Sequence, residues 1–312
     1  MSETPGSGRF AHRHPPTIHP AARAIAGHDG GVADRRTRLG ASAAIAAVVL
    51  ASCAGSGSGA PIDAGTEVVD GDTFVVVDDG ISDRVRIVGI NTPETGECLA
   101  ETAGERLGDL LAQGPIELVR DTSDVDSFGR LLRYVEVRPD NGDETVDVGA
   151  TLVAEGLAIA RRYEPDVARA DTYARLQEAA RADRVGLWST DACGTATVAP
   201  GAIEVTVNAD PPGDDTDALD GEWVEFTNTT DTEIDLDGFT VADESASNRF
   251  TFDDRSLAPL ATLRLVTGCG DDGANVVHWC ATGSAVWNND GDTVFLRDRS
   301  GNIVVANTYD RP

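Results

Sequence analysis

Lysine is missing from this chain: all 25 basic residues are arginines. Any phosphate binding therefore falls to guanidinium groups, whose planar forks suit that task. Histidine is nearly as scarce, and none lies between residues 29 and 277. A histidine general base and a histidine-ligated zinc are thus excluded from the middle of the chain. The few cysteines are poorly spaced for zinc as well. A broad basic field of the kind that binds polyanions is also absent, because 53 acidic residues face those 25 arginines, for a net charge of -28. Long apolar runs are lacking too. The uncharged stretch at 39–52 is too short to span a bilayer comfortably.

What is present is enough for real cores. Hydrophobic residues make up 41% of the 312 positions, which excludes general disorder and leaves room for about two domains. The acidity is spread over both halves, with 27 acidic and 13 basic groups in residues 62–190 and 22 and 6 in residues 201–312. The first 61 residues are net positive. Either the partner is not a polyanion, or local arginines act in a medium salty enough to screen the rest. A lysine-free, aspartate-rich composition suits a salt-adapted host, and base composition alone gives the same result.

The amino terminus reads as an address. Arg35, Arg36 and Arg38 precede the apolar residues 39–52, which end in Leu50-Ala51-Ser52-Cys53. This basic, apolar, small-residue order is that of a secretory signal, and its end resembles a lipobox with Cys53 as the lipidated residue. The expectation is a leader and lipoprotein-type signal over 1–53 and a Gly/Ser tether over 54–62. A lipid anchor then holds an extracellular, cell-surface protein at the membrane; an ordinary cleaved signal gives a secreted one. The paired arginines keep a twin-arginine route open. Cys98, Cys193, Cys269 and Cys280 form an even set, compatible with two disulfides in an oxidising compartment. Cys98 and Cys193 bracket the middle segment and Cys269 lies near Cys280, so Cys98–Cys193 and Cys269–Cys280 are the simplest pairs.

Residues 63–190 read as one domain, and within it 66–91 alternates Val/Ile-rich runs with Asp-Gly turns. Strands are expected at 67–69, 73–77, 84–90, 116–120 and 131–137. Leu99, Ala103, Leu107 and Leu110 recur at helical spacing, and further helices are expected at 147–156 and 168–184. Five strands with three helices outside give an α+β unit, an OB-fold β-barrel. Three polar clusters punctuate it: Asp70-Gly71-Asp72-Thr73, the stretch from Arg86 to Glu94 (Arg-Ile-Val-Gly-Ile-Asn-Thr-Pro-Glu), and Asp126-Ser127-Phe128-Gly129-Arg130. The first alone means little, because Asp290-Gly291-Asp292-Thr293 repeats it in the other half.

In order, the three clusters resemble the staphylococcal nuclease (thermonuclease) family, from about Asp63 to the Gly186-Leu187-Trp188 ending. The resemblance implies a barrel with helices that cleaves DNA or RNA with calcium. It implies that Asp72 and Asn91 ligate the metal by side chain and Thr92 by its carbonyl, where the family usually carries aspartate at the Asn91 position. Glu94 would position or deprotonate the attacking water, and Arg86 and Arg130 would clamp the phosphate. The chemistry agrees, since phosphodiester hydrolysis needs a cation, a base for water and donors for developing charge, and hard oxygen ligands suit calcium.

Residues 191–201 read as a linker. Beyond it, 202–312 shows short strands without helical periodicity, as expected of an all-β, immunoglobulin-like sandwich. The stretches 222–228, 234–240 and 287–294 resemble the lamin-tail domain, a non-catalytic accessory whose partner the sequence does not name. The acidic run 210–220 reads as a solvated loop, and His278 with Trp279 as a packed aromatic pair. Together these expectations describe an exported, lipid-anchored, calcium-dependent endonuclease, monomeric, with little sequence preference. The rival expectation is a surface-attached binding protein whose nuclease fold has lost catalysis.

Overall fold

The computed structural model describes residues 65–310, apart from 79, 141, 143, 214–218, 246 and 282–283. The leader, Cys53 and the tether lie outside the described residues, as does the middle of the acidic run at 210–220. Among the described residues no helix is long and apolar enough to cross a membrane.

The first half follows the alternation of its sequence. Strands β1 (Gly65–Val68), β2 (Thr73–Asp78) and β3 (Ile81–Ile87) form an antiparallel meander. Buried Phe74, Val76, Val85 and Ile87 point to the core and charged residues point away, the period-2 pattern of a half-buried sheet. The expected strand 84–90 is broken by a turn at Val88-Gly89, where Gly89 has φ +81°. Only glycine takes that conformation readily. The chain leaves the sheet there, and the two-residue strand β4 (Ile90–Asn91) pairs elsewhere, with β8 (Ile159–Ala160).

Between them come helix α1 (Ala100–Leu111), strands β5 (Ile116–Val119), β6 (Leu131–Val137) and β7 (Val146–Asp147), and helix α2 (Val148–Ala154); α3 (Ala170–Asp183) follows β8. The sheet order is β1-β2-β3-β6-β5, with β7 on β6 and a parallel β3/β6 pair. The expected five strands are thus joined by β7 in the sheet and by the separate β4/β8 pair. Leu107, Leu110, Leu152 and Tyr173 close the core from the helical side, against Val135 and Val137 of β6. Arg169 ties α3 to the rest through ion pairs with Glu136 and Asp147, and its guanidinium lies 4.6 Å from the Tyr134 ring centroid.

The second half is the expected sandwich. Its strands are β9 (Ile203–Asn208), β10 (Trp223–Asn228), β11 (Ile234–Asp235), β12 (Thr240–Ala242), β13 (Arg249–Thr251), β14 (Ser256–Leu257), β15 (Thr262–Val266), β16 (Val276–His278), β17 (Gly291–Arg297) and β18 (Ile303–Asp310). They form sheets β16-β15-β10-β9 and β13-β12-β17-β18, with β11 and β14 paired separately. Phe226, Phe239, Phe252, Leu263, Trp287 and Leu296 fill the space between the sheets. Trp279 packs on Phe250 and Trp287, whereas His278 turns to the Asp272 carboxylate at 3.5 Å instead of pairing with its neighbour. Strand alternation explains this, since adjacent residues face opposite ways.

The two halves belong to one compact unit. An apolar cluster joins Ile159, Leu187 and Trp188 of the first to Phe295 of the second, and Arg181 donates to the Ala306 carbonyl at 2.8 Å. The segment at 191–201 is held down. Cys193 is bonded to Cys98, its N–H donates to Asn302 Oδ1 at 2.8 Å, and the Thr197 N–H reaches Asp298. The second disulfide joins Cys269 to Cys280.

Candidate active site

The three polar clusters meet in one cleft. Asp72 comes from the turn into β2, Arg86 from β3, Asn91 from β4, Glu94 from the following loop, and Arg130 from the turn before β6. The cleft has a volume of about 580 Å³. It is also lined by Asp70, Asp126, Phe128, Arg161, Tyr163 and, from the sandwich, Ser247.

Asp72 is buried and fully engaged. Its Oδ1 accepts from the Thr73 hydroxyl at 3.1 Å, and Oδ2 accepts from the Thr92 N–H and from Arg86 Nη2, each at 3.0 Å. The same Nη2 donates to Asn91 Oδ1 at 3.1 Å. Close packing enforces the arrangement: a Cβ on Gly71 would lie 2.7 Å from both Ala103 Cβ and Thr92 Oγ1. No larger residue fits between the turn and the Thr92 loop.

Arg130 is aimed by Asp126. The Asp126 carboxylate takes Arg130 Nε at 2.7 Å on one oxygen and the Phe128 and Arg130 N–H groups at 2.9 Å on the other. Burial alone would raise the Asp126 pKa, but these donors outweigh it and hold the carboxyl below its usual range. Gly129, at φ +78°, lets the turn close. Phe128 stands 82% exposed with the Arg130 guanidinium 5.5 Å from its ring centroid. Across the cleft, Tyr163 is paired with Arg161 in the same way at 5.4 Å.

Glu94 is an exposed residue, and its pKa is raised. Partial desolvation is the largest cause, followed by the charges of Asp72, Asp70 and Glu97, with Arg86 opposing. Asp70 is raised as well, by desolvation and then by Asp72. A carboxylate so placed is a stronger base than one in water.

The oxygens fit a hard cation. Asp72 Oδ2 and Asn91 Oδ1 already share one cationic nitrogen, so they lie close enough to share a metal ion, with the Thr92 carbonyl on the same loop. Carboxylate, amide and carbonyl oxygens suit calcium rather than zinc. Of these three only Asp72 carries a charge, so the set is poor in charge.

Asp72, Arg86, Asn91, Glu94 and Arg130 therefore line one cleft, as expected from the sequence, while the sixth residue, Thr92, is buried behind it with its N–H on Asp72. Sequence reading passed over Asp126 as an anchor, Arg161 and Tyr163 altogether, and Ser247 entirely. Asp126 lay inside a cluster already singled out, and its position four residues before an arginine was the available signal. Arg161 and Tyr163 reach the cleft only because β8 pairs with β4.

A six-stranded sheet backed by three helices, with carboxylates, two arginines and oxygen donors gathered in one groove, is matched by known proteins. A family model described as staphylococcal nuclease homologue matches residues 84–190, and one described as Lamin Tail Domain matches residues 197–311. The micrococcal nuclease of Shigella flexneri is 33% identical over 125 residues, covering 39% of this chain and 70% of that protein. The thermonuclease of Staphylococcus intermedius is 32% identical over 127 residues, with 39% and 72% covered. Endonuclease YncB of Bacillus subtilis is 36% identical over 129 residues, and there the match spans 39% of this chain but only 58% of the relative. The chain belongs to the staphylococcal nuclease family, and its second half is a lamin-tail domain.

Proposed function

We propose that this chain is an exported, lipid-anchored, calcium-dependent endonuclease that hydrolyses DNA or RNA with little sequence preference. The observation that carries the reading is the meeting of Glu94, Arg86 and Arg130 around the oxygens of Asp72 and Asn91 in one open cleft. The nuclease and endonuclease names of the relatives support it.

Asp72, Asn91 and the Thr92 carbonyl would hold the calcium ion, which when bound neutralises phosphate charge and lowers the cost of the developing oxyanion. Glu94 accepts the proton of the attacking water, a task helped by its raised pKa. Arg86 donates to a phosphoryl oxygen from the wall. Arg130, held through Nε by Asp126, presents the other edge of its fork to the phosphate and to the charge building there. Phe128 and Tyr163 offer ring faces to unstacked bases, a mode of binding that tolerates any base and favours single strands. The lamin-tail domain, with an unidentified partner, and the anchor at Cys53 complete the proposal.

A gel assay of residues 54–312 on single-stranded DNA and RNA tests it, with calcium and with chelator, from 0.05 M to molar salt on the order of the range over which screening changes. Calcium-dependent cleavage is expected. No cleavage under any of these conditions would hand the case to the binding-protein reading. Replacing Cys53 with alanine should release the chain from the membrane fraction or leave an uncleaved precursor.

A further inference from the structure

The loop that carries Glu94 is fixed at both ends, and one end is held by the lamin-tail domain. Upstream, the Thr92 N–H is bound to Asp72. Downstream, the Glu97 N–H donates to the Glu94 carbonyl at 2.8 Å, and Glu97 Oε2 accepts from the Glu94 N–H at 3.0 Å. Glu97 therefore closes the turn that begins at Glu94.

Glu97 stands in an acidic setting, with its charge adding to those of Asp70 and Asp72 on Glu94. Left alone it would be repelled from the turn. The cation that holds it is Arg249 of β13, in direct ion pairing with Glu97 Oε1. Arg297 of β17 lines the same small cavity as Glu97 and Arg249; burial pushes its pKa down to about 10, and the Glu97 charge opposes that fall. Next in sequence, Cys98 is bonded to Cys193, and a Cβ on Gly301 would sit 3.3 Å from Cys98 Cβ. The sandwich thus touches the loop at two adjacent points, Glu97 and Cys98.

We propose that the lamin-tail domain is a working part of the nuclease site, with Arg249 as a positioning residue that acts through Glu97 to hold the Glu94 turn. This rests on the nuclease reading above. It assigns the domain a role in the chemistry rather than in attachment alone. The physical reason is that a base must stay within hydrogen-bond reach of its water, and an error of about 1 Å costs about a hundredfold in rate.

The test uses the whole exported chain with Arg249→Ala, Arg249→Lys and Arg181→Ala. The last variant loosens the contact between the halves at the Ala306 carbonyl without touching Glu97. With saturating calcium and single-stranded DNA, Arg249→Ala is expected to lower kcat about tenfold while KM and the calcium concentration for half-maximal rate move less than about twofold. Arg249→Lys should restore most of the rate, since a single ion-pair contact suffices, and Arg181→Ala should leave it unchanged. Hydrogen exchange supplies a readout independent of catalysis: amides of residues 94–97 should exchange about tenfold faster in Arg249→Ala than in wild type. Equal exchange overturns the brace whatever the activity. Faster exchange with unchanged kcat, or an equal loss of kcat in Arg181→Ala, overturns the positioning role. An inert wild-type chain would overturn the nuclease reading and the catalytic half of this proposal with it, while the exchange difference still decides whether Arg249 holds the turn.

Discussion

Arg86 Nη2 lies 3.0 Å from Asp72 Oδ2, so the expected phosphate clamp and the expected metal ligand are in direct contact. Asn91 shares that nitrogen at 3.1 Å. Two oxygens and one guanidinium thus make a site with a single formal negative charge from its side-chain donors.

Calcium affinity across protein sites is tuned by the charge count of the ligands. Asn91→Asp, nearly isosteric, should lower the calcium concentration for half-maximal activity about tenfold, equivalent to about 1.4 kcal/mol. The maximal rate should change much less, because Glu94 and Arg130 are untouched. Calcium titration of both proteins by calorimetry and by rate checks this, and an unchanged calcium dependence would show that Asn91 is not a ligand.

Glu94→Gln and Arg130→Ala should each lower kcat by about a hundredfold or more. Glu94 is solvent-exposed, so its substitution should leave stability within about 0.5 kcal/mol. Steady-state kinetics beside thermal melts separate the two effects. Wild-type turnover from either variant would remove that residue from the proposed machinery.

Glu244 gives stability a pH dependence. Its pKa is pushed up to about 7, chiefly by burial and further by Asp292 and Asp243, against the Thr293 hydroxyl and Arg161. Asp292 is likewise raised to about 6 by burial and by Asp243. The folded chain keeps protons that the unfolded chain releases, so these groups favour the folded state most below the ordinary carboxylate range. That contribution is lost as pH rises through 6 to 7. Glu244→Gln should therefore flatten the fall, raising stability at pH 8 by about 3 kcal/mol at most. Denaturant melts at pH 5 and pH 8 measure it, and an identical pH slope in the variant would refute the assignment.

The Cys98–Cys193 disulfide closes a loop with a sequence separation of 95, and Cys269–Cys280 one with a separation of 11. The longer loop restrains the unfolded chain more, so Cys98→Ser paired with Cys193→Ser should cost about 2–5 kcal/mol and exceed the loss from opening the short loop. Denaturant melts of the two double variants decide the order.

The fold was largely legible because its signals are local. Alternating Val/Ile runs, Asp-Gly turns and the three- and four-residue spacing of Leu99, Ala103, Leu107 and Leu110 each determine an element from a few neighbouring residues. The helix itself begins one residue after Leu99, which takes φ +64°. The short strands β4 and β8 carry no such pattern in two residues each, and they form only where the turn at Gly89 brings Asn91 beside Ile159.

By itself the sequence determined the types of residue that any chemistry here must use: carboxylates, amides and arginines, without lysine or a central histidine. Tertiary structure decided what each does, and the repeated Asp-Gly-Asp-Thr tetrapeptide shows why. Asp72 meets Arg86, which it shares with Asn91, and the Thr92 N–H, and so faces an open cleft beside a second oxygen donor. Asp292, in the same local sequence, meets Asn288 and the Glu244 N–H in the sandwich and is raised by burial instead. Local sequence sets a turn, whereas charge, solvent and partners come from chain segments far apart in sequence. The same holds for Arg249 and Glu97, whose pairing depends on two domains packing together.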